Sequence, residues 1–335
     1  MAAITTASPK LWLQALYTIP RVDLARVDPV SRWLILARVS VVVMTATSAA
    51  IGGLLAARDD ALDVSLLVLT VVGLVLAHTG SNLVNDFWDF RHGADTPDSP
   101  RVNYGPHPFA SEGVQVRSFV LVTMAILAAA TAIGVYLTVA SGPGVLVFAL
   151  TGAFVLLFYS GGPLPMKYFG LGEVAVFIVW GPLMIGGSYY VLAGDLPPWV
   201  IVASIPYALG VTTVLMGKHV DKVDFDRGRK IRTLPVLLGE APARRLTQLL
   251  SLAMYAAVAG VVVWQRMPGL LLVVAALPML GTMLRAYNAP KPPALQERYP
   301  GSPLWYVGFA FIHMRRFGVL FVAGLILQLI VEAAI

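Results

Sequence analysis

The sequence predicts an all-α membrane protein, a polytopic bundle of about nine transmembrane helices. Of its 335 residues, 58% are hydrophobic and only 13% are charged, which is about half of the roughly 25% charge typical of soluble domains. Uncharged apolar runs recur along the whole chain and approach or reach the length of about 20 residues that a helix needs to cross a bilayer. These observations exclude an ordinary soluble protein. The chain has no cysteine, which excludes disulfides, thiolate metal sites and cysteine nucleophiles.

The apolar runs and the polar breaks between them predict nine spans in order along the chain. The spans lie near residues 34–57, 64–84, 119–139, 145–160, 171–193, 199–217, 246–264, 268–286 and 317–333. Residues 1–33 are expected to be a cytoplasmic or interfacial lead-in, because they lack the charged start, apolar run and small-residue cleavage site of a signal peptide. No linker or low-complexity segment interrupts the chain, so residues 1–335 are expected to form a single domain.

The distribution of Lys and Arg predicts the orientation of the bundle. Basic residues concentrate in the lead-in and in the long connections around 85–117, 217–245 and 285–316, whereas the turns on the opposite side hold only Arg58 and Arg266 as cations. Cytoplasmic loops of membrane proteins carry such an excess, so we expect the long loops in the cytoplasm. The net charge of +6 therefore reflects topology, and membrane lipid but no nucleic acid is the expected partner.

The first polar segment follows the second span directly. At 100° per residue, Asn82, Asn85, Asp86 and Asp89 fall on one helical face, and Asp95 is expected to fold back toward them. Carboxylate and amide oxygens are the hard ligands that Mg²⁺ prefers, together with substrate phosphates. The alternative is a solvated helix end with Asn caps. Because ionisable groups at a membrane boundary are expensive and usually functional, the pattern favours a magnesium site.

The second polar segment follows the sixth span. If that helix continues, Lys218, Asp221, Lys222 and Asp226 share one side, while Asp224 points elsewhere. In such a pattern the carboxylates can hold a metal while the ammonium groups contact phosphate oxygens, and both stabilise the negative charge on a departing diphosphate. The alternative is a surface salt-bridge ladder.

Together the two segments resemble a known family. The pattern Asn85-Asp86-x-x-Asp89 with Asp95 downstream, the second Asp-rich loop four spans later and the span count resemble the intramembrane prenyltransferases of the UbiA superfamily over nearly the whole chain. Three details resemble the branch that prenylates 1,4-dihydroxy-2-naphthoate in menaquinone biosynthesis: the six-residue step from Asp89 to Asp95, and two runs at residues 159–173 and 232–236. The resemblance implies a helical bundle around a central cavity that opens at the cytoplasmic side of a bacterial membrane.

The resemblance also implies a reaction and its residues. Mg²⁺ on the two segments would hold the diphosphate of an allylic isoprenoid, whose chain is transferred to an aromatic, naphthoate-like acceptor. The implied metal ligands are Asp86, Asp89, Asp95, Asp221 and Asp226, and all of these except Asp95 are also implied as catalytic. The implied substrate-binding residues are Arg38, Asn82, Asn85, Tyr159, Lys167, Lys218, Lys222, Arg229 and Lys230. Candidates for stabilising an allylic cation with a ring face are Phe87, Trp88, Phe158, Tyr159, Tyr168 and Tyr207, and His78 is a candidate for assisting proton loss or a structural histidine.

Three departures from the family pattern leave alternatives open. The second motif of the family usually spaces two Asp by four residues, but four residues before Asp226 lies Lys222, so the partner of Asp226 is either Asp221 or Asp224. The Arg-Pro pair that commonly opens the first span is Arg38-Val39 here, and residues 101–108 replace a usual Arg/Gly/Pro-rich stretch. An intramembrane terpene cyclase, or a prenyltransferase with a non-aromatic acceptor, requires the same motifs. A transporter would instead place carboxylates near mid-membrane.

Overall fold

The fold is given by a computed structural model that describes residues 7–110, 114–292 and 304–334. Every regular element in these ranges is a helix, which confirms the all-α prediction. The helices are α1 (Pro9–Tyr17), α2 (Pro29–Leu36), α3 (Val39–Arg58), α4 (Val64–Arg91), α5 (Pro100–Tyr104), α6 (Val116–Ser141), α7 (Val145–Phe158), α8 (Gly172–Ala193), α9 (Pro198–Val220), α10 (Val223–Gly228), α11 (Leu234–Leu238), α12 (Glu240–Gln265), α13 (Pro268–Tyr287) and α14 (Tyr306–Ala333). Two short 3₁₀ turns, Leu24–Arg26 and Met166–Phe169, lie in the connections.

Eight of the described helices are long and apolar enough to cross a bilayer, namely α3, α4, α6, α8, α9, α12, α13 and α14. The predicted span at 145–160 is α7, which has 14 residues and is therefore about 21 Å long, shorter than the hydrocarbon core of about 30 Å. Several helices extend beyond their predicted apolar spans into polar sequence: α4 continues to Arg91, α12 begins at Glu240 and α14 begins at Tyr306. The chain is an integral membrane protein.

A sharp turn between α2 and α3 brings a basic side chain inward. Arg38, which lies between these two helices, has a positive φ of 55°, a left-handed conformation that few non-glycine residues adopt and that costs on the order of 1–3 kcal/mol. Its side chain is only 7% exposed and forms an ion pair with Asp86 of α4. The strained turn therefore fixes where α3 begins relative to α4, and the buried ion pair offsets part of its cost.

The main apolar core surrounds α9. In the most apolar window of this helix 72% of the residues are buried, against 17% in α4 and 11% in α6. Tyr207 of α9 packs in one core with Phe317 and Phe321 of α14, and these three side chains are almost fully buried. Helices α3, α8, α12 and α13 complete this core, whereas α4, α6 and α7 carry many exposed apolar side chains.

A cavity of about 1090 Å³ lies between the tightly packed helices around α9 and the more loosely packed α4, α6 and α7. Its wall is apolar along most of its length, with residues such as Leu127 of α6, Phe148 of α7 and Leu183 of α8. Because α9 and α4 both end in polar sequence at one end of this cavity, the two Asp-bearing segments are brought to the same place.

Candidate active site

A charged pocket adjoins one end of the apolar cavity. Its lining residues are Arg38, Asn85, Asp86, Asp89, Asp95, Arg101, Tyr104, Lys167, Lys218 and Lys222. Arg38, Asn85 and Lys218 also line the cavity, so the pocket and the cavity share a boundary. The free volume of the pocket is only about 10 Å³, because ion pairs between its own side chains fill it. An anionic ligand would have to separate these pairs.

Asp86 lies between two arginines. Its side chain is 1% exposed; Oδ1 is 3.0 Å from Nη2 of Arg38 and Oδ2 is 2.8 Å from Nη2 of Arg101. The two other nitrogens of the Arg101 guanidinium donate to the carbonyl oxygens of Gly105 and Pro106 and to Asp86. Burial would lower the pKa of Arg101, but Asp86 and the other nearby anionic groups raise it above its ordinary value. This part of the pocket therefore carries one more positive than negative charge.

Asp89, one turn further along α4, is bound by a different set of groups. Lys167 Nζ is 2.5 Å from Oδ2, and Tyr168 donates its hydroxyl to Oδ1 at 3.2 Å. The amide of Asn85 donates to Asp89 at 3.1 Å and to Oγ of Ser160 at 2.8 Å. Burial alone would lower the pKa of Lys167, but the Asp89 carboxylate raises it above its ordinary value, so the side chain is an ammonium at neutral pH.

Asp95 is brought back to the pocket after α4 ends, and His107 contacts it there. The backbone N–H of Asp95 donates to the carbonyl oxygen of Asp89 at 3.1 Å, and His107 Nε2 lies 3.3 Å from Asp95 Oδ2. Burial would raise the pKa of Asp95, but the hydrogen bond from His107 and the charges of Lys167 and Arg101 hold it well below its usual range. The carboxyl group is therefore ionised.

His107 also belongs to the cluster of three side chains, with Asp86 and Asp95, whose ligand atoms lie within 4.8 Å of one another. However, Nδ1 of His107 accepts hydrogen bonds from the backbone N–H groups of Phe109 and Ala110, each at 3.2 Å. A neutral imidazole that accepts at one nitrogen carries its hydrogen on the other. We therefore assign His107 as a donor to Asp95, which orients that carboxylate, and not as a metal ligand.

The second polar segment reaches the pocket through lysines. Lys222 lines the pocket, and its Nζ donates to Oδ1 of Asp226 at 3.0 Å. Asp226 is buried behind Lys222, and its Oδ2 has no hydrogen-bond partner within the described ranges. Lys218, one turn before Lys222, lines both the pocket and the cavity.

The two remaining aspartates of this segment lie elsewhere. The carboxylate of Asp221 accepts hydrogen bonds from the backbone N–H groups of Trp305, Tyr306 and Val307 at 2.9–3.1 Å, at the N-terminus of α14. Asp224 is exposed and pairs with Arg227 at 2.9 Å. Neither of the two candidate partners of Asp226 is therefore brought to the pocket. The reason is that α9 ends at Val220 and a new helix begins at Val223, so the four residues do not continue one helical face.

The other predicted site residues separate into cavity residues and surface residues. Asn82 and Tyr159 line the apolar cavity next to the pocket. Arg229 is half-exposed and bonds to Gly93, Thr96 and Asp98 after α4, and Lys230 is exposed, so neither lines the pocket. Among the six aromatic candidates, Tyr159 alone belongs to the described cavity wall, and Tyr207 is buried in the core with its hydroxyl donating to the carbonyl oxygen of Met44.

His78 lies in the cavity wall on the same face of α4 as Asn82 and Asn85. Its Nδ1 is 2.7 Å from Oγ1 of Thr45, and its ring meets the indole of Trp180 edge to face at a centroid distance of 5.1 Å. These two contacts fix the orientation of the imidazole toward the cavity.

The sequence prediction missed Arg101 and His107 as site residues. Both belong to residues 101–108, the stretch that departs from the family pattern, and both are buried in spite of their polarity. An Arg and a His within eight residues of a polar connection are only a weak indication of a site, because the sequence alone does not show that these side chains are buried. Trp180 was missed because an aromatic residue inside an apolar span gives no signal that it faces a cavity.

Comparisons with known proteins identify the family of the chain. The model of the UbiA prenyltransferase family matches residues 44–314. A 1,4-dihydroxy-2-naphthoate octaprenyltransferase of Bacillus subtilis is 24% identical over 213 residues, covering 64% of this chain and 68% of the relative. The Escherichia coli protein of the same name is 31% identical over 190 residues, covering 54% of this chain and 59% of the relative. The matched stretches thus cover 68% and 59% of the length of these two relatives.

A solved structure shares the fold. A UbiA homolog from Archaeoglobus fulgidus, bound to GPP and Mg²⁺, aligns with a TM-score of 0.58 and covers 84% of this chain and 99% of its own, at 16% sequence identity.

Proposed function

The chain belongs to the UbiA prenyltransferase family, and we propose that it transfers an isoprenoid chain from an allylic diphosphate to an aromatic acceptor in a Mg²⁺-dependent reaction. The observation that carries the proposal is the junction of a charged pocket with an apolar cavity of about 1090 Å³. A diphosphate matches the pocket and an isoprenoid chain matches the cavity, and one molecule can occupy both only if it has a charged head and an apolar tail.

The first polar segment fits Mg²⁺. Three carboxylates, those of Asp86, Asp89 and Asp95, line one pocket, and Mg²⁺ binds through one or two carboxylates together with substrate phosphates and water. Each of these carboxylates is paired with a basic group or with a histidine nitrogen, and these pairs have to open when Mg²⁺ and the diphosphate bind. Bound Mg²⁺ would neutralise diphosphate charge and so make the diphosphate a better leaving group.

The basic side chains of the pocket bind and orient the leaving group. Lys167 and Lys222 are buried or half-buried and line the pocket, so their ammonium groups can donate to diphosphate oxygens with little competition from water. Arg38 lies at the boundary between pocket and cavity, where the carbon–oxygen bond of a donor that occupies both would lie. These donors stabilise the negative charge that develops on the departing oxygen.

The cavity protects and directs the allylic cation that remains. Its wall is apolar and excludes water, which would otherwise quench the cation, and the rings of Tyr159 and Trp180 lie in this wall. An electron-rich acceptor ring forms the new carbon–carbon bond and then loses a proton, or carbon dioxide from a carboxylated position. His78, held in this wall by Thr45 and Trp180, is the group that we propose as the acceptor of that proton.

A 1,4-dihydroxy-2-naphthoate-like quinone precursor is the acceptor that the relatives favour, since two of them carry that substrate in their names. The excess of Lys and Arg in the connections next to the pocket supports an active site on the cytoplasmic side of the membrane, and the organisms of these two relatives favour a bacterial membrane. Membrane lipid surrounds α4, α6 and α7, whose apolar side chains are exposed.

The test is product analysis with the purified protein in liposomes. The protein is incubated with Mg²⁺ and allylic diphosphates of several chain lengths, with and without 1,4-dihydroxy-2-naphthoate, and the products are identified by mass. A prenylated naphthalene formed only when both substrates are present is expected. A metal-dependent hydrocarbon or terpene alcohol formed without the acceptor, beyond simple hydrolysis, would contradict the aromatic acceptor and indicate a cyclase.

A further inference from the structure

We propose that this chain holds metal at one end of the donor diphosphate only, and that the ammonium group of Lys222 takes the place of a second metal site at the other end. The inference rests on the proposed function, because it concerns how the same pocket binds the same diphosphate. Residues 218–226 present two amines and no carboxylate to the described pocket, although they contain three aspartates.

The composition of the pocket wall is the first observation. All three carboxylates in the described wall, Asp86, Asp89 and Asp95, come from the first polar segment. The second segment contributes Lys218 and Lys222. A divalent cation is attracted to the three carboxylates and repelled by the two lysines. One end of the pocket therefore favours contact with a diphosphate through a metal ion, and the other end favours direct contact through amines.

The second observation is where the three aspartates of the second segment lie. Asp221 is fully engaged by backbone N–H groups of α14, and Asp224 is exposed to solvent in a pair with Arg227. Only Asp226 lies near the pocket, and Lys222 stands between its carboxylate and the pocket wall at 3.0 Å from Oδ1. A metal ion on Asp226 would therefore meet an ammonium group at close range.

The charged side chains in and next to the pocket balance one another in number. The carboxylates of Asp86, Asp89, Asp95 and Asp226 are matched in number by the cations of Arg38, Arg101, Lys167 and Lys222. A bound diphosphate adds about three negative charges. One Mg²⁺ leaves a single negative charge beside the Lys218 amine in the same wall, whereas two Mg²⁺ would leave the buried site positive beside that amine. Because uncompensated buried charge is costly, one metal suffices.

Asp226 then has a clear role in this arrangement. Its Oδ1 accepts a hydrogen bond from Nζ of Lys222 at 3.0 Å, so that the ammonium group is already oriented when the diphosphate binds. Charge-assisted hydrogen bonds to phosphate oxygens from a pre-oriented donor are about twice as strong as neutral ones. Asp226 is in this sense a positioning residue, and Lys222 is the group that contacts the ligand.

The experiment counts metal ions directly. Mn²⁺ replaces Mg²⁺, and the bound ions per chain are titrated by electron paramagnetic resonance in the presence of a non-reactive thiolo analogue of geranylgeranyl diphosphate. The variants are Lys222→Met, which removes the charge, and Lys222→Asp, which creates two aspartates four residues apart. Lys10→Asp, at an exposed position of α1, is the matched control, and thermal melting in detergent verifies that each variant is folded.

The inference predicts one Mn²⁺ per chain in the wild type, in Lys222→Met and in Lys10→Asp, and two in Lys222→Asp. It also predicts that Lys222→Met weakens binding of the analogue by about tenfold or more, as expected for a lost hydrogen bond to a charged group, with no change in the number of bound ions. Two Mn²⁺ per wild-type chain would overturn the one-metal site and leave the proposed function intact. Wild-type protein that binds neither Mn²⁺ nor the analogue would contradict the proposed function itself.

Discussion

At the scale of single residues, the site is a set of carboxylates that each have their own partner. Arg38 and Arg101 flank Asp86, Lys167 and Tyr168 bind Asp89, and His107 orients Asp95. The sequence predicted the three carboxylates as site residues, because their spacing and their position after an apolar span can be read directly from it. It did not predict the partners from residues 101–107, because an Arg or a His in a polar connection reads as a surface residue until the fold buries it.

Loss of Asp86 and loss of Asp89 should differ in their effect on stability. Asp86→Ala leaves two buried guanidinium groups without their shared carboxylate, and an unpaired buried charge costs on the order of 3–5 kcal/mol. Asp89→Asn keeps an acceptor for Tyr168 and nearly the same volume. We expect both variants to lose turnover by at least about a thousandfold, and only Asp86→Ala to show a large drop in melting temperature. Activity assays and thermal melting of the purified variants check this; wild-type turnover in Asp89→Asn would remove the proposed metal site.

His107→Ala should weaken the binding of Mg²⁺ without removing a metal ligand. Groups that orient a metal-binding side chain typically contribute about 10–100-fold to metal affinity, so the Mg²⁺ concentration for half-maximal activity should rise by that factor while the maximal rate falls less. His107→Gln, which retains a side-chain N–H donor, should recover part of the loss. A His107→Ala variant with an unchanged Mg²⁺ requirement would show that Asp95 needs no such donor.

At the scale of the helices, the polar segments owe their positions to helix ends. The apolar pattern located the spans but not their ends, since α4 continues to Arg91 and α14 begins at Tyr306, beyond the hydrophobic runs. A helix continues through polar residues when their side chains find buried hydrogen-bond or ion-pair partners, and those partners come from distant parts of the chain. The same limitation explains Asp221, which the pattern placed on one face with Asp226, although α9 ends between them.

Asp221 is expected to stabilise the start of α14. Its carboxylate accepts the backbone N–H groups of Trp305, Tyr306 and Val307, which have no partner within their own helix. Asp221→Ala should lower the free energy of unfolding by about 1–2 kcal/mol, as the loss of an N-terminal cap does, and should leave the number of bound Mn²⁺ ions unchanged. Thermal melting and metal titration test both parts. A fall in the number of bound Mn²⁺ ions without a fall in stability would show that Asp221 is a metal ligand and not a helix cap.

At the scale of the whole molecule, the bundle separates two environments that meet at one boundary. The helices around α9 form the main apolar core, and the cavity beside it ends at a pocket lined by three aspartates and several cations. Composition and span count predicted the membrane bundle, and the spacing of the motifs predicted one shared site. The size and shape of the cavity depend on contacts between helices that no single segment encodes, so they could not be predicted from the sequence.

Filling the cavity should shorten the donor that the protein accepts. Gly134 of α6 lines the cavity, and a Cβ placed on it meets no atom within 4 Å, so Gly134→Phe adds a ring to the cavity without a clash at Cβ. Gly260 of α12 is equally open but is exposed and does not line the cavity, which makes Gly260→Phe the control. Relative to wild type, Gly134→Phe should favour shorter allylic diphosphates, measured as the ratio of kcat/KM values for two chain lengths. If the ratio of kcat/KM values is the same in both variants, the isoprenoid chain does not occupy the part of the cavity next to Gly134.

The most direct test of the account compares diphosphate release by the wild type and by Asp89→Asn in liposomes that contain 1,4-dihydroxy-2-naphthoate and an allylic diphosphate, with Mg²⁺ or with excess EDTA. We expect the wild type to release diphosphate only with Mg²⁺ and to form an equal amount of prenylated product. We expect neither diphosphate release nor product from the variant or with EDTA. Equal release by the two proteins, or release that is unaffected by EDTA, would contradict a metal-dependent ionisation at this pocket.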